Sequence, residues 1–273
     1  MKKNVPAVAI GCVLLLGVCV LLYPAVSAML ARMKQSEVIS AYRNTVNSLT
    51  NTEIEKKKAD AQKYNESLCG TVLSDPFSGG KKSGAGYGKL LDVGEVTGYL
   101  DIPKISVYLP IYHGTSEEIL QKGVGQLENT SLPIGGKSTH AVLSGHRGLP
   151  SATLFTNLDQ LAKGDRFYLH VLNEVLAYEV DQIKVVEPED TSDLTIQKGK
   201  DYVTLVTCTP YGINTQRLLV RGERIAYEAA EKQASPAPET PNEVAVVPAV
   251  YLLAAVLPFV LLAGWRRKRK ARK

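Results

Sequence analysis

The sequence predicts a mainly β domain, a barrel or sandwich of seven or eight strands, and three observations lead there. Short apolar runs follow one another from Glu95 onward: VTGYLDIP, VYLPIY, HAVLSG, RFYLHVL, EVLAYEVDQIKVV, DYVTLVT and RLLVRGERIAY. Turn-forming residues punctuate them, and little between them has helical spacing. The block is about 130 residues long, the size of one small all-β domain. Helical and apolar segments flank it on both sides.

The elements follow in order. Residues 4–31 carry no charge and contain VLLLGVCVLLYPAV, long enough to cross a bilayer as a helix. Lys2 and Lys3 before it also suit a signal peptide. The length of the run favours a retained anchor, although SAMLA at Ser27–Ala31 offers a cleavage site. From Arg32 to Leu68 the spacing is helical: Val38, Tyr42, Thr45, Val46 and Leu49 recur on one face, and a second, charged stretch begins at Thr52. Ser74–Gly88 (SDPFSGGKKSGAGYG) has the composition of a flexible loop. Within the β block, Asn173-Glu174 suits a tight hairpin turn, and SEEILQKG and TLFTNLDQL suit short helical turns. Ala234–Pro241 is a proline-rich linker, and residues 244–265 form a second uncharged run with Tyr251 and Trp265 at interfacial positions.

The expected organisation is therefore an anchor over 1–31, a helical pair over 32–70, a loop over 71–93 and a β domain over 94–230. A linker over 231–243, a second span over 244–265 and a basic tail over 266–273 complete it. The charge agrees. The chain carries +5 from 32 basic and 27 acidic residues. Nine of the basic residues are Lys2, Lys3 and seven of the last eight, so the remainder holds 23 basic against 27 acidic. That excludes a phosphate-binding surface and nucleic acid as partner. The positive-inside rule puts both termini in the cytoplasm and residues 32–243 outside, with the lipid bilayer as one partner.

Four cysteines exclude a disulfide-stapled scaffold. Cys12 and Cys19 fall in the first apolar run, where a packing role suffices. Cys69 and Cys208 fall outside it and could pair in an oxidising compartment. The surroundings of Cys208 argue against that. Thr204-Leu-Val-Thr-Cys208-Thr-Pro-Tyr-Gly delivers it to a strand end, Pro210 and Gly212 stop the strand, and the turn returns Arg217 alongside. A thiol needs a base or a cation to become a good nucleophile. Of the four histidines, His170 alternates inside a strand and reads as solvated, and His140 sits at a strand start. His113 and His146 both follow apolar strands at loop entries, where catalytic groups are displayed. Spacing does not choose between these two.

Val142-Leu-Ser-Gly-His146-Arg-Gly-Leu-Pro, Leu154-Phe-Thr-Asn-Leu, Thr204-Leu-Val-Thr-Cys208 and Arg217-Leu-Leu-Val-Arg-Gly, in this order, closely resemble the sortases of Gram-positive bacteria. The chain resembles more narrowly the class C, pilin-polymerising sortases over residues ~35–265. The resemblance implies a closed sortase-type β-barrel and a triad of Cys208, His146 and Arg217, with Thr207 and Tyr211 contacting substrate. It implies cleavage of an LPxTG-like sorting signal between threonine and glycine, a thioester intermediate and transfer to a pilin lysine. Partners would be pilin or surface proteins bearing such signals. Asp75-Pro76-Phe77 resembles the family's lid motif: Asp75 would pair with Arg217, and Phe77 would cover Cys208 and His146. The ion pair is expected to be exposed, and the lid therefore to open often.

The chemistry agrees with the triad. Cys208 would attack the carbonyl, His146 would shuttle the proton, and Arg217 would hold the developing oxyanion. No cofactor and no metal are expected: no His/Cys cluster has ligand spacing, and Glu187, Glu189 and Asp190 read as a solvated loop. Three rivals remain. They are a housekeeping sortase that anchors surface proteins to peptidoglycan, another extracytoplasmic cysteine transferase such as an L,D-transpeptidase, whose SHGC-type motif TCTPYG lacks, and a non-catalytic binding module. Ala237-Pro-Glu-Thr-Pro241 before the second span has the layout of a sorting signal, but a proline follows the threonine, and a linker is the expected reading.

Overall fold

The computed structural model describes residues 5–68, 73–78 and 87–227. The first 30 residues belong to one unit and residues 31–238 to another. Helix α1 (Val5–Ser48) is one continuous helix, so the apolar run and the first of the expected helical pair are a single element. By length and composition it can cross a membrane, and Leu14, Leu16 and Leu21 on it are exposed. The expected second span, the linker, the basic tail and Cys69 lie outside the described residues.

Helix α2 (Asn51–Ser67) starts one residue before the expected Thr52, because Thr50 caps it. Thr50 Oγ1 accepts from the Glu53 backbone N–H at 3.3 Å, and the Glu53 carboxylate accepts from the Thr50 N–H at 2.8 Å. That reciprocal pair satisfies two donors that a helix start leaves open. The apolar faces of α1 and α2, including Ile39, Tyr42, Val46, Ile54 and Ala61, join the main core. Polar clasps add direction. Tyr42 donates its hydroxyl to the Thr97 carbonyl (3.2 Å) and accepts from the Leu172 N–H (2.7 Å). Asn65 makes two bonds with the Leu132 backbone, at 2.7 and 3.1 Å.

The eight strands are β1 (Gly98–Ile102), β2 (Val107–His113), β3 (Val124–Gln126), β4 (Thr139–Ser144), β5 (Arg166–Val171), β6 (Glu174–Val186), β7 (Asp201–Thr209) and β8 (Gln216–Ile225). They close in the order β1-β2-β3-β4-β7-β8-β6-β5. A closed eight-stranded barrel leaves no open edge. The β2–β3 and β4–β7 pairs are parallel, and the other pairs are antiparallel. Strand β3, with three residues, is absent from the sequence-based set because it is too short to show alternation. A short helix α3 (Glu117–Lys122) bridges β2 to β3, as SEEILQKG suggests. The β5–β6 turn is Leu172-Asn173, one residue earlier than expected, with Leu172 at φ +51°.

Strand alternation sorts the faces. Along β4 and β7, Ala141, Leu143, Val203 and Leu205 enter the main core with Phe155, Phe167 and Tyr178. Their neighbours Val142 and Val206 point the other way and join Leu127, Leu194 and Leu219 in a second, smaller cluster. Leu73, Phe77 and Val186 pack on that cluster. Cys208 shares this second face with Val206. The barrel therefore has an interior that holds it together and an outer apolar floor on which the site is built.

Candidate active site

Strand register brings the three expected residues together. In the β7–β8 pair Cys208 stands directly opposite Arg217, so their side chains share a face as near neighbours. The connecting loop turns tightly, with Ile213 and Asn214 N–H groups both donating to the Pro210 carbonyl. The β4–β7 pair runs parallel as far as Ser144 opposite Val206. Two residues further along each chain are His146 and Cys208, which places them level. Gly145 N–H donates to the Val206 carbonyl at 3.1 Å, and the His146 carbonyl accepts from Phe155 N–H at 3.1 Å. A Cβ at Gly145 would stand 2.9 Å from the Phe155 ring, so only glycine lets the chain reach His146 over this fully buried aromatic.

Thr207, expected to touch substrate, is fully buried, and its hydroxyl donates to the Gly145 carbonyl at 2.7 Å. Alternation turns it away from Cys208, so it ties β7 to the loop that carries His146. Tyr211 is 59% exposed at the rim. The Arg147 guanidinium lies 5.8 Å from its ring, and Gly148 (φ +81°) abuts it. Arg147 is itself ion-paired with Asp159.

Segment 73–78 covers the site. Arg217 donates from Nε and Nη2 to the two oxygens of Asp75, at 2.8 and 2.7 Å, and from Nη1 to the Asn214 and Gln216 carbonyls, each at 3.1 Å. The Phe77 ring lies 5.1 Å from the Arg217 guanidinium and 5.7 Å from the His146 ring. Ser78 closes a turn on the Asp75 carbonyl. The expectation of an exposed pair is corrected here. Both the Arg217 and Asp75 side chains are 11% exposed, because Phe77 and Val186 cover the second cluster beside them. Shielded and bidentate, this pair is stronger than a surface one.

Burial pushes the Cys208 thiol pKa up, Arg217 draws it down, and Asp75 pushes it up again. With Asp75 holding Arg217, Cys208 rests as a thiol, and it is not in a disulfide. On its other side, His146 Nε2 lies 3.3 Å from the Glu117 carboxylate, a contact no sequence spacing signalled. The remaining histidines are elsewhere. His113 packs edge-on to Tyr87, and burial lowers its pKa. His140 is enclosed between the Thr195 carbonyl and Thr204 Oγ1. His170, expected to be solvated, stacks on Tyr99 at 4.3 Å, and burial lowers its pKa to about 4. A cavity of about 500 Å³, lined by Lys58, Asn65, Gly136, Thr139 and Leu172, sits by the start of β4, at the opposite end of that strand from His146. It holds none of the three expected residues. No cluster of three potential metal ligands occurs among the described residues.

Comparison with known proteins accounts for this arrangement. A sortase domain profile matches residues 100–225. The crystal structure of Streptococcus pneumoniae sortase C, whose description concerns catalysis and pilin substrate specificity, is 53% identical with a TM-score of 0.68, over 71% of this chain and 98% of that one. Streptococcus agalactiae sortase C1 is 49% identical with a TM-score of 0.68, over 72% of this chain and 99% of that one. Sortase D of Bacillus subtilis is 36% identical over 137 residues, and the match spans 49% of this chain and 66% of that protein. The chain thus covers just under two thirds of this curated relative and nearly all of the two crystallised sortases. With the same closed barrel and about half of the aligned residues identical to theirs, the chain belongs to the sortase family of cysteine transpeptidases, and its likeness is to the class C members.

Proposed function

We propose that the protein is a membrane-anchored pilin sortase that cuts LPxTG-like signals and joins the threonine acyl group to a pilin lysine. The observation that carries this reading is Cys208 opposite Arg217 and level with His146, beneath a segment that grips Arg217 through Asp75. The reaction has two halves. The Cys208 thiol passes its proton to His146 as the sulfur attacks the threonine carbonyl, the C–N bond to glycine breaks, and His146 gives that proton to the departing amine. The lysine nitrogen then attacks the thioester, its proton passes to His146, and the C–S bond breaks to return the thiolate. Arg217 stabilises the oxyanion in both halves.

In the resting state Nε, Nη1 and Nη2 of Arg217 are each engaged, by Asp75 or by backbone carbonyls. Segment 73–78 therefore acts as a lid. Substrate must displace Asp75 before Arg217 can bind a carbonyl. Phe77 leaves with it and frees the space between Arg217 and His146. The helix α1 supplies the membrane anchor.

The test is a reconstitution of the full chain in detergent with an LPxTG-type peptide and either a lysine-bearing pilin or a peptidoglycan stem peptide. Hydroxylamine should intercept the Cys208 thioester and release the threonine hydroxamate, and mass spectrometry should find the threonine–lysine isopeptide when pilin is the acceptor. Transfer to the stem peptide in preference to pilin lysine would replace this reading with the housekeeping one.

A further inference from the structure

The roles proposed for Cys208, His146 and Arg217 leave one contact unused. We infer that Glu117 is a positioning residue for His146: its carboxylate holds the imidazole through Nε2 and leaves Nδ1 to exchange protons with the reacting amines. The inference deepens the proposed transpeptidation and rests on it.

The geometry comes first. Glu117 Oε2 lies 3.3 Å from His146 Nε2, and its Oε1 accepts from Gln121 Nε2 at 2.9 Å. One oxygen is thus braced along α3 while the other faces the imidazole. The helix is itself fixed, since Leu120 is buried and Gln35 of α1 donates to the Lys122 carbonyl at 3.0 Å. His146 is fixed through its backbone by Phe155. Two rigidly held groups therefore meet at one hydrogen bond.

The chemistry follows. An ionised carboxylate only accepts, so Nε2 must carry the hydrogen, and in the neutral ring the lone pair falls on Nδ1. The hydrogen bond to Gln121, and then the charge of His146, hold the Glu117 carboxyl below the usual carboxylate range, so it is ionised at neutral pH. The other charges near His146 have partners. Asp75 of the lid is spent on Arg217 of β8, and Asp159 on Arg147 of the following loop. Cys208 faces the site from β7 as a thiol. Phe77, on the lid, departs when the lid opens. Glu117 does not.

During acyl transfer, the proton that the lysine nitrogen loses as its bond to the carbonyl carbon forms goes to Nδ1, and Cys208 leaves as thiolate. In the first half the proton that the Cys208 thiol gives to Nδ1, as its sulfur bonds to the carbonyl carbon, goes on to the glycine nitrogen as the C–N bond breaks. Glu117 gains no proton in either half. It keeps Nδ1 aimed and steadies the imidazolium, the role a third group plays in other nucleophile–base pairs. Its side chain is 66% exposed, so the effect is that of a screened contact and not of a buried triad acid.

The test uses the full chain in detergent with ¹⁵N-labelled histidine, and His146→Gln identifies the signal. The neutral ring should appear as the Nε2–H tautomer in the native protein and lose that preference in Glu117→Ala. Glu117→Gln, whose amide oxygen still accepts from Nε2, should retain it. In Glu117→Ala, kcat for lysine transfer should fall about ten-fold at unchanged KM for the sorting peptide, short of the roughly 10²–10⁴ that a general base itself contributes. A tautomer unchanged in Glu117→Ala overturns the assignment. That readout needs no substrate, so its result stands apart from whether lysine is the acceptor.

Discussion

The three positions proposed as catalytic and the segment proposed as their lid are held by different kinds of interaction. Cys208, Arg217 and His146 are set by main-chain geometry: the β7–β8 register, the β4–β7 register, and backbone bonds from Gly145 and Phe155. Nothing short of unpairing strands moves them. Among the described residues, segment 73–78 meets the barrel through side chains, namely the Asp75 carboxylate on Arg217 and the contacts of Leu73 and Phe77 with the second cluster. Its described backbone bond, from Ser78 to Asp75, stays within the segment. Parts without main-chain ties to the core open at a fraction of the global unfolding cost. On the proposed reading, the difference gives one molecule a rigid site under a separately held cover.

The largest expected effects fall on the rigid side. Cys208→Ala should abolish both acyl-enzyme and isopeptide while the lid still docks on Arg217, so the thermal midpoint should stay near native. Residual isopeptide in this variant would remove Cys208 from the nucleophile's place. Phe155→Ala comes next. Phe155 is fully buried under Gly145 and holds the His146 carbonyl, and removing such a ring costs about 3–5 kcal/mol. Urea unfolding should show that loss, and Phe77→Ala should show far less of it. Equal losses would mean that the lid is as much a part of the core as Phe155.

The same division separates what the sequence makes legible from what it hides. The Cys208–Arg217 pair is local. Pro210 and Gly212 force a turn, and a hairpin brings the two residues face to face with no long-range information. His146 is different, since its neighbour β7 is a parallel strand some sixty residues on, and no periodicity records which strands lie side by side. That is why spacing leaves His113 and His146 equal and the family resemblance separates them. Strand β3 is too short to alternate visibly. His170 was expected to be solvated because alternation gives its face but not its neighbour, and β1 supplies Tyr99 directly opposite. Glu117 has no sequence signal at all, being 29 positions from His146 on another element. The enclosure of the Asp75–Arg217 pair is likewise hidden, since it depends on Val186 of β6 standing opposite Arg217 and on Phe77 packing against the guanidinium.

Asp75→Asn probes the segment held by side chains and should have an intermediate effect. The variant keeps the shape of the contact and removes the charge. Burial raises the Cys208 pKa, Arg217 lowers it and Asp75 raises it, so losing Asp75 leaves Arg217 to act on the thiol unopposed. The thiolate fraction at neutral pH should rise, and the alkylation profile should move to lower pH. If the lid also opens more often, labelling of Cys208 at pH 7 should quicken about ten-fold, equivalent to about 1.4 kcal/mol. Stopped-flow labelling over a pH series reads both effects. A profile left in place, with an unchanged rate, would mean that the lid neither latches through Asp75 nor tunes the nucleophile.

The smallest effect belongs to a control ion pair that shares its chemistry with the latch but not its surroundings. Lys104 Nζ meets Asp165 Oδ2 at 2.6 Å, with the two side chains 46% and 21% exposed, against 11% for each partner of the Asp75–Arg217 pair. Asp165 has a second partner in the Ala162 N–H, so the clean substitution is Lys104→Ala. Water and salt screen this contact, and its loss should cost less than about 1 kcal/mol in urea, with no change in the rate at which Cys208 is alkylated. The comparison with Asp75→Asn then isolates enclosure as the variable, because both substitutions remove one carboxylate–cation attraction. Should Lys104→Ala speed alkylation as much as Asp75→Asn does, opening at Cys208 would reflect general loosening of the barrel, and the separation between a rigid site and a side-chain-held lid would fail.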